Sequence, residues 1–319
     1  MPQREGSPWQ GMSVVFFREL FDHLTSARML VLEFLVVLLG GAVVWFAVEQ
    51  VRSVTAEDPF LFLRLFAPST QTAFSFVRVL GLLVPIIAIG LGFDAINGEY
   101  NRRTMSRILA QPLYRDALLF GKFLAGLTTI AICLVTLWLL VIGYGLLTLG
   151  VPPSGEEVGR LLVFLLVTVA YAGVWLALAI TFSVLFRSAA TAALSALGLW
   201  LFLDLLWPML AQILGQVISP PDIRFAALGL PTPDTQAWQT ALQRVAPARL
   251  FDEVLVAMLN PDLQSLSTLL AQFQGRIPSP LPFDQSIIQA WPPMVGLVAG
   301  MIVLYVVGYV AFQRQEVRA

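Results

Sequence analysis

Charge is scarce in this chain. Asp, Glu, Lys and Arg together supply 12% of its 319 residues, about half the share of an ordinary soluble domain. With 58% hydrophobic residues and a mean hydropathy of +0.80, a soluble globular protein is excluded and an integral membrane protein is left. The formal net charge of −1 gives no reason to expect nucleic acid as a partner. Cysteine is limited to Cys133 and histidine to His23. A lone thiol inside an apolar run excludes an intrachain disulfide and leaves the redox compartment unread. A lone imidazole excludes a multi-histidine metal site. The carboxylates are dispersed, no Ser–His pairing stands out, and Met209, Met294 and Met301 are unclustered. No catalytic, cofactor-binding or metal-ligating constellation is therefore expected. A nucleotide-phosphate loop is missing too, because Gly121-Lys122 is followed by Phe123 and lacks the upstream glycine. There is no repeat of fixed period and no low-complexity tract. Met1 to Gly11 shows no apolar core followed by a small-residue cleavage site, so no removable leader is expected.

Long apolar runs are abundant. A helix needs about 20 apolar residues to cross the hydrocarbon core, and six stretches qualify: 29–48, 76–97, 117–149, 159–186, 189–218 and 291–312. The third is longer than necessary, and Gly143 and Gly145 would let part of it tilt or project. Only Phe186-Arg187-Ser188 separates the fourth from the fifth. Gly296-x-x-x-Gly300 fits close helix packing, although glycine is common in membrane helices for other reasons.

Lysine and arginine in short connections set orientation. The 98–116 connection holds Arg102, Arg103, Arg107 and Arg115, and Arg187, Arg314 and Arg318 fall on the same side. The opposite connection, Val151 to Gly159, has Glu156 and Glu157 and no basic residue. Both termini and the 98–116 segment are thus expected in the cytoplasm. The 219–290 stretch is expected outside, as an insertion too small for an independent core. Within it, 236–259 reads as helix interrupted at Pro247, with Leu250, Val254 and Met258 on one face.

Two segments are amphipathic. Residues 12–28 carry Phe17, Leu20, Phe21 and Leu24 as one stripe, with Glu19, Asp22 and Ser26 turned away toward the cytosol, the pattern of an in-plane helix. After the second span, Met105, Ile108 and Leu109 share a face at helical spacing, and Arg103 and Arg107 lie opposite. Pro112 stops that helix. Such a piece either docks in a partner's groove or merely orients the chain as a basic loop.

Charges also enter the membrane. Asp204 lies deep in the fifth span, where an unpaired charge costs several kcal/mol. Arg78, near the outer end of the second span, is the partner expected for it, either as a structural pair or as part of a substrate pathway. Pro85, Gly90 and Gly92 offer a kink that would pass motion on from 99–112, or simply pack.

The run Glu99 … Arg103-Thr104-Met105 … Leu109-Ala110-Gln111-Pro112 … Arg115 … Gly121-Lys122 resembles the signature after the second span of type-2 ATP-binding-cassette (ABC) exporter permeases. That signature reads approximately Glu-x-x-x-Gly-Thr-Leu, then Leu-Leu-(Ser/Ala)-x-Pro-x-x-Arg, then Gly-Lys. Ala246-Pro247-Ala248-Arg249-Leu250-Phe251 and the Arg314-Gln315-Glu316-Val317-Arg318 tail give weaker support. Arg103 departs from the pattern, standing where the family has glycine.

The resemblance implies an all-α, six-span permease domain over 1–319. Its parts are an elbow helix (12–28), a cytoplasmic coupling segment (98–116) and an extracytoplasmic insertion (219–290). It implies a dimer with a second copy or a relative, in the cytoplasmic membrane among its lipids. Two ABC ATPase subunits would hold ATP and Mg in trans and contact Glu99, Arg103, Thr104, Met105, Ile108, Leu109, Pro112 and Arg115. The expected function is export of a lipid, drug or other amphiphile. A non-transporting mechanotransducer acting on a partner docked at 219–290, or a stand-alone membrane enzyme or secondary transporter, are the alternatives.

Overall fold

The computed structural model describes residues 11–27, 29–31, 33–34, 37–38, 40–42, 45, 62–66, 76–103, 115–150, 152–220, 222, 232–259 and 281–314. The described chain is helical and contains no strand. Its elements are α1 (Met12–Thr25), α2 (Phe76–Gly92), α3 (Asn97–Asn101), α4 (Arg115–Leu149), α5 (Gly155–Leu185), α6 (Ala189–Leu201), α7 (Trp207–Ile218), α8 (Pro233–Gln243), α9 (Pro247–Leu259) and α10 (Phe283–Arg314). Five stretches are long and apolar enough to cross a membrane: Arg78–Asn101, Arg115–Thr148, Gly155–Leu185, Ala189–Ile218 and Phe283–Arg314. The chain is an all-α integral membrane protein. The expected first span, 29–48, lies largely outside the described residues.

Hydrophobicity alone cannot arrange these helices in a bilayer, so close packing and polar contacts must do it. α5 is the hub, packed against α10, α2, α9, α4 and α6. Its inner face carries a run of small residues (Ala172, Gly173, Ala177 and Ala179) between Tyr171, Trp175 and Ile180, all buried. Tyr171 stacks on Phe251 of α9 with centroids 4.5 Å apart and donates its hydroxyl to the Gly81 carbonyl of α2 at 3.2 Å. Val254 and Met258 of α9 are fully buried on that same side.

α1 lies beside the start of α4, and this marks one end of the bundle. The opposite end is organised by the first turn of α5. Ser154 and Glu157 cap each other's backbone in a capping box. Glu157 also accepts from the backbone N–H groups of Phe62 (2.8 Å) and Leu63 (3.4 Å), holding the 62–66 turn. That turn fits because a side chain at Gly145 would meet Leu65 at 2.7 Å and Phe62 at 3.0 Å. Gly145 therefore receives a neighbour, and α4 runs unbroken to Leu149. Arg160 is fully buried. It donates to Glu156 (2.8 Å), the carbonyls of Leu281 (2.6 Å) and Met258 (3.3 Å), and the Ser286 hydroxyl (3.0 Å).

Several boundaries differ from the hydropathy reading. α5 begins at Gly155, because the acidic connection is itself the helix's first turn. α10 begins at Phe283, with Pro292 and Pro293 inside it, its first turns fixed through Arg160. α2 ends at Gly92, and residues 93–96 turn before α3. The 189–218 rod contains a π-helical turn at Phe202–Leu206, centred on Asp204. Gly300 has open space beside it, whereas Gly296 meets Leu250. The two glycines do not form one shared helix contact, because α9 lies over only the first.

Candidate functional site

At the α1 end, three elements converge on one buried ammonium group. Lys122 of α4 is 5% exposed. Its Nζ lies 2.6 Å from Glu19 Oε1 of α1 and 3.4 Å from Glu99 Oε1 of α3. Two carboxylates compensate one lysine, and each keeps part of its own solvation at the rim. Such a node binds α1 to the ends of two spans. Removing any one partner would leave charge buried without compensation.

Local sequence explains how α1 comes so close. A Cβ at Gly121 would stand 2.9 Å from Val15 Cγ1 and 3.3 Å from the Met12 carbonyl. The Gly-Lys pair thus has two jobs: glycine lets α1 lie against α4, and the next residue places the charge. Part of the polar face of α1, Glu19, His23 and Ser26, is turned inward, while Arg18 and Asp22 stay exposed at its edge. Glu19, Asp22, His23 and Ser26 line a cavity against the bundle, while Val14, Phe17, Phe21 and Leu24 are exposed on the other side. The sequence reading turns both Glu19 and Asp22 toward open cytosol; Asp22 is indeed exposed, beside Arg18, whereas Glu19 is turned inward. Lys122 is what draws Glu19 inward. Burial lowers the pKa of His23 and outweighs the opposing pull of Glu19, Asp94 and Asp22, with Lys122 adding to the lowering.

The approach to the 98–116 segment is fixed just as firmly. Ser183 Oγ of α5 accepts from the backbone N–H groups of Ile96 (3.0 Å) and Asn97 (3.2 Å). Asn97 Nδ2 donates to the carbonyls of Phe93 (3.2 Å) and Phe186 (3.3 Å). α3 then ends in a left-handed residue, Arg103 at φ 57°. Its N–H donates to the Tyr100 carbonyl at 3.0 Å, the way a helix is closed by a C-terminal turn. This is the position where the resemblance expects glycine, and the conformation is the one glycine adopts at no steric cost.

Among the expected site residues, Glu99, Arg103 and Arg115 flank the segment at its two ends. Thr104, Met105, Ile108, Leu109 and Pro112 lie outside the described residues. Arg115 opens α4, and Asp116 beside it accepts from the Tyr309 hydroxyl (3.1 Å) and from the Gln313 amide, fastening the end of α10. Asp204 and Arg78 act on each other electrostatically where α2 runs beside α6, and Asp252 of α9 shares that neighbourhood.

Sequence reasoning missed the roles of Glu19, Asn97, Ser183, Glu157 and Arg160. The Ser-x-x-Glu spacing at 154–157 was a readable signal. The others depend on tertiary neighbours and had no local signature. Among the described residues, no group of His, Cys, Asp and Glu is placed to hold a metal.

The chain is 31% identical over 198 residues to the probable ABC transporter permease protein NosY of Pseudomonas aeruginosa, an overlap of 60% of this chain and 66% of that protein. The probable ABC transporter permease protein NosY of Stutzerimonas stutzeri is 26% identical over 198 residues, with the same shares covered. The chain thus spans slightly under two thirds of the length of these curated relatives. A family model described as ABC-2 family transporter protein matches residues 13–317. With an all-helical membrane fold and a match of that extent, this chain belongs to the ABC-2 transporter family.

Proposed function

We propose that the chain is the permease subunit of an ABC exporter, in the cytoplasmic membrane with both termini and 98–116 in the cytoplasm. An ABC ATPase binds the segment between α3 and α4 and supplies ATP hydrolysis in trans, with ATP and Mg held on that partner. Two permeases, identical or related, pair with two ATPase subunits and move an amphiphile outward. The observation that carries this reading is the Lys122 node together with the Ser183 and Asn97 contacts. They give the segment a rigid base joined to α1, α4 and α5, so a push on it reaches the whole bundle. A lever needs such a base.

Met105, Ile108 and Leu109 form the apolar face that seats in the ATPase, with Thr104 and Pro112 bounding the helix and Arg103 and Arg115 orienting it by charge. Glu99 acts through Lys122, as a positioning residue. The test replaces Met105 and Leu109 together by aspartate in the full-length chain. Copurification with the ATPase is expected to fall at least tenfold, because two charges would enter an apolar groove. Unchanged copurification would remove the coupling assignment.

A second reading has its own support. α9 of the 219–290 insertion is buried against α5 and α10, and Arg160 joins it to both. Force arriving through α5 would therefore reach a partner docked on the insertion, which is how a mechanotransducer without cargo would work. ATPase activity stimulated by that partner, and by no amphiphile, would favour this second reading.

A further inference from the structure

Pro85 stands inside α2, yet the helix continues from Phe76 to Gly92. Proline has no N–H to give, so the Gly81 carbonyl, one turn back, loses its intrahelical donor. Inside a membrane span no bulk water replaces that donor, and a neighbouring helix must. Tyr171 of α5 does so: it is fully buried, and its hydroxyl lies 3.2 Å from the Gly81 oxygen. The ring that carries the hydroxyl is fixed in turn. It stacks on Phe251 of α9, with centroids 4.5 Å and planes 13° apart. α2, α5 and α9 thus meet at one buried phenol. Beyond Pro85, α2 leads into the 93–97 turn that Ser183 and Asn97 hold. The proline gap therefore falls between the outer part of α2 and the base of the 98–116 segment.

We infer that Tyr171 is a positioning residue for coupling: its hydroxyl stiffens α2 across Pro85, and its stacking on Phe251 makes that stiffness answer to α9. Displacement of the 98–116 segment passes along α2 to Tyr171, and from its ring to the insertion. When α9 shifts and carries the ring away, α2 is free to bend at Pro85, and the two ends of the molecule uncouple. The force path rests on the proposed engagement of an ATPase by 98–116. Closure of the proline gap does not.

The test is a mutant cycle read by hydrogen exchange on the intact chain, purified in detergent. Tyr171→Phe keeps the ring and removes only the hydroxyl. Exchange of the 86–92 amides should accelerate about tenfold, the scale of a buried carbonyl left without its donor. Pro85→Ala returns an N–H to the Gly81 carbonyl, so in that background Tyr171→Phe should change the same amides less than about twofold. Phe251→Leu should accelerate them in the wild type and add little to Tyr171→Phe. Phe251→Met, closer in volume, replaces it if the leucine variant does not fold. An effect of Tyr171→Phe that is equal with and without Pro85 would overturn the positioning role. Full additivity of Phe251→Leu and Tyr171→Phe would remove α9 from it. In the complex with the ATPase, a fluorophore on Val245→Cys, in a Cys133→Ser background, reports motion at the exposed start of α9. Tyr171→Phe should at least halve its response to ATP, and Pro85→Ala should restore it. An unchanged response would confine Tyr171 to the packing of α2. Failure of any ATPase to bind would instead sink the permease reading, with the hydrogen-exchange cycle still decisive for Tyr171.

Discussion

Arg103 carries a conformational penalty in plain view. A side chain in the left-handed region costs about 1–2 kcal/mol relative to the right-handed one, and Arg103 sits at φ 57°. Arg103→Gly should therefore hold or raise the unfolding midpoint. Strain relief of about 1 kcal/mol is partly offset by the greater freedom of glycine in the unfolded chain. A clear drop in that midpoint would mean the guanidinium contributes more than the backbone loses. Lys122 presents the opposite case. Lys122→Met leaves Glu19 and Glu99 facing each other without their shared cation. Loss of one partner from a buried pair costs about 3–5 kcal/mol, and the partial exposure of both carboxylates brings this toward about 2–3 kcal/mol. Adding Glu19→Gln and Glu99→Gln to that variant should recover most of the loss. If thermal unfolding shows the triple variant no better than the single one, charge is not what the node contributes.

At the scale of elements, α1 is held to the bundle by one ion-pair node and by close packing at Gly121. His23 makes that attachment sensitive to acid. Its pKa is lowered by burial, so on acidification the detached helix takes up a proton before the docked one does. Stability therefore rises with pH across the histidine range and falls as pH drops below about 6.5. Protease cleavage at α1 should increase between pH 7.5 and 5.5 in the wild type, and His23→Gln should flatten the change. Equal acid sensitivity in both would assign the effect to the carboxylates instead. The amphipathic character of 12–28 was legible from its stripe, but the inward turn of Glu19 was not. The stripe defines which residues lie together, whereas Lys122, a hundred positions on, decides which way they point.

For the whole molecule, the two ends of α5 perform complementary tasks. One end, through Ser183, holds the base of the 98–116 segment; the other, through Glu157 and Arg160, holds the 62–66 turn and the insertion. A helix gripped at both ends transmits displacement along its length. Arg160→Leu should leave the fold recognisable and release α9 and the start of α10, where three of its acceptors lie. Hydrogen exchange is expected to accelerate over 251–259 and 283–290 with little change in 97–103. Unaltered protection in α9 would show that the Tyr171–Phe251 stacking suffices without the arginine.

Sequence alone determined the class of this protein. Membrane-spanning helices announce themselves because each must satisfy its own backbone hydrogen bonds and be apolar over a fixed length, and the Glu99–Lys122 run carries its family resemblance within one continuous stretch. Tertiary structure decided how those helices meet. Lys122 seats Glu19 beside Glu99, Gly121 admits α1, and Arg160 ties three helices; the Glu19 and Arg160 contacts join residues 103 and up to 126 positions apart. No period in a linear sequence encodes such pairings. They exist because a charge buried among helices must be compensated by whichever side chains the packing brings within reach.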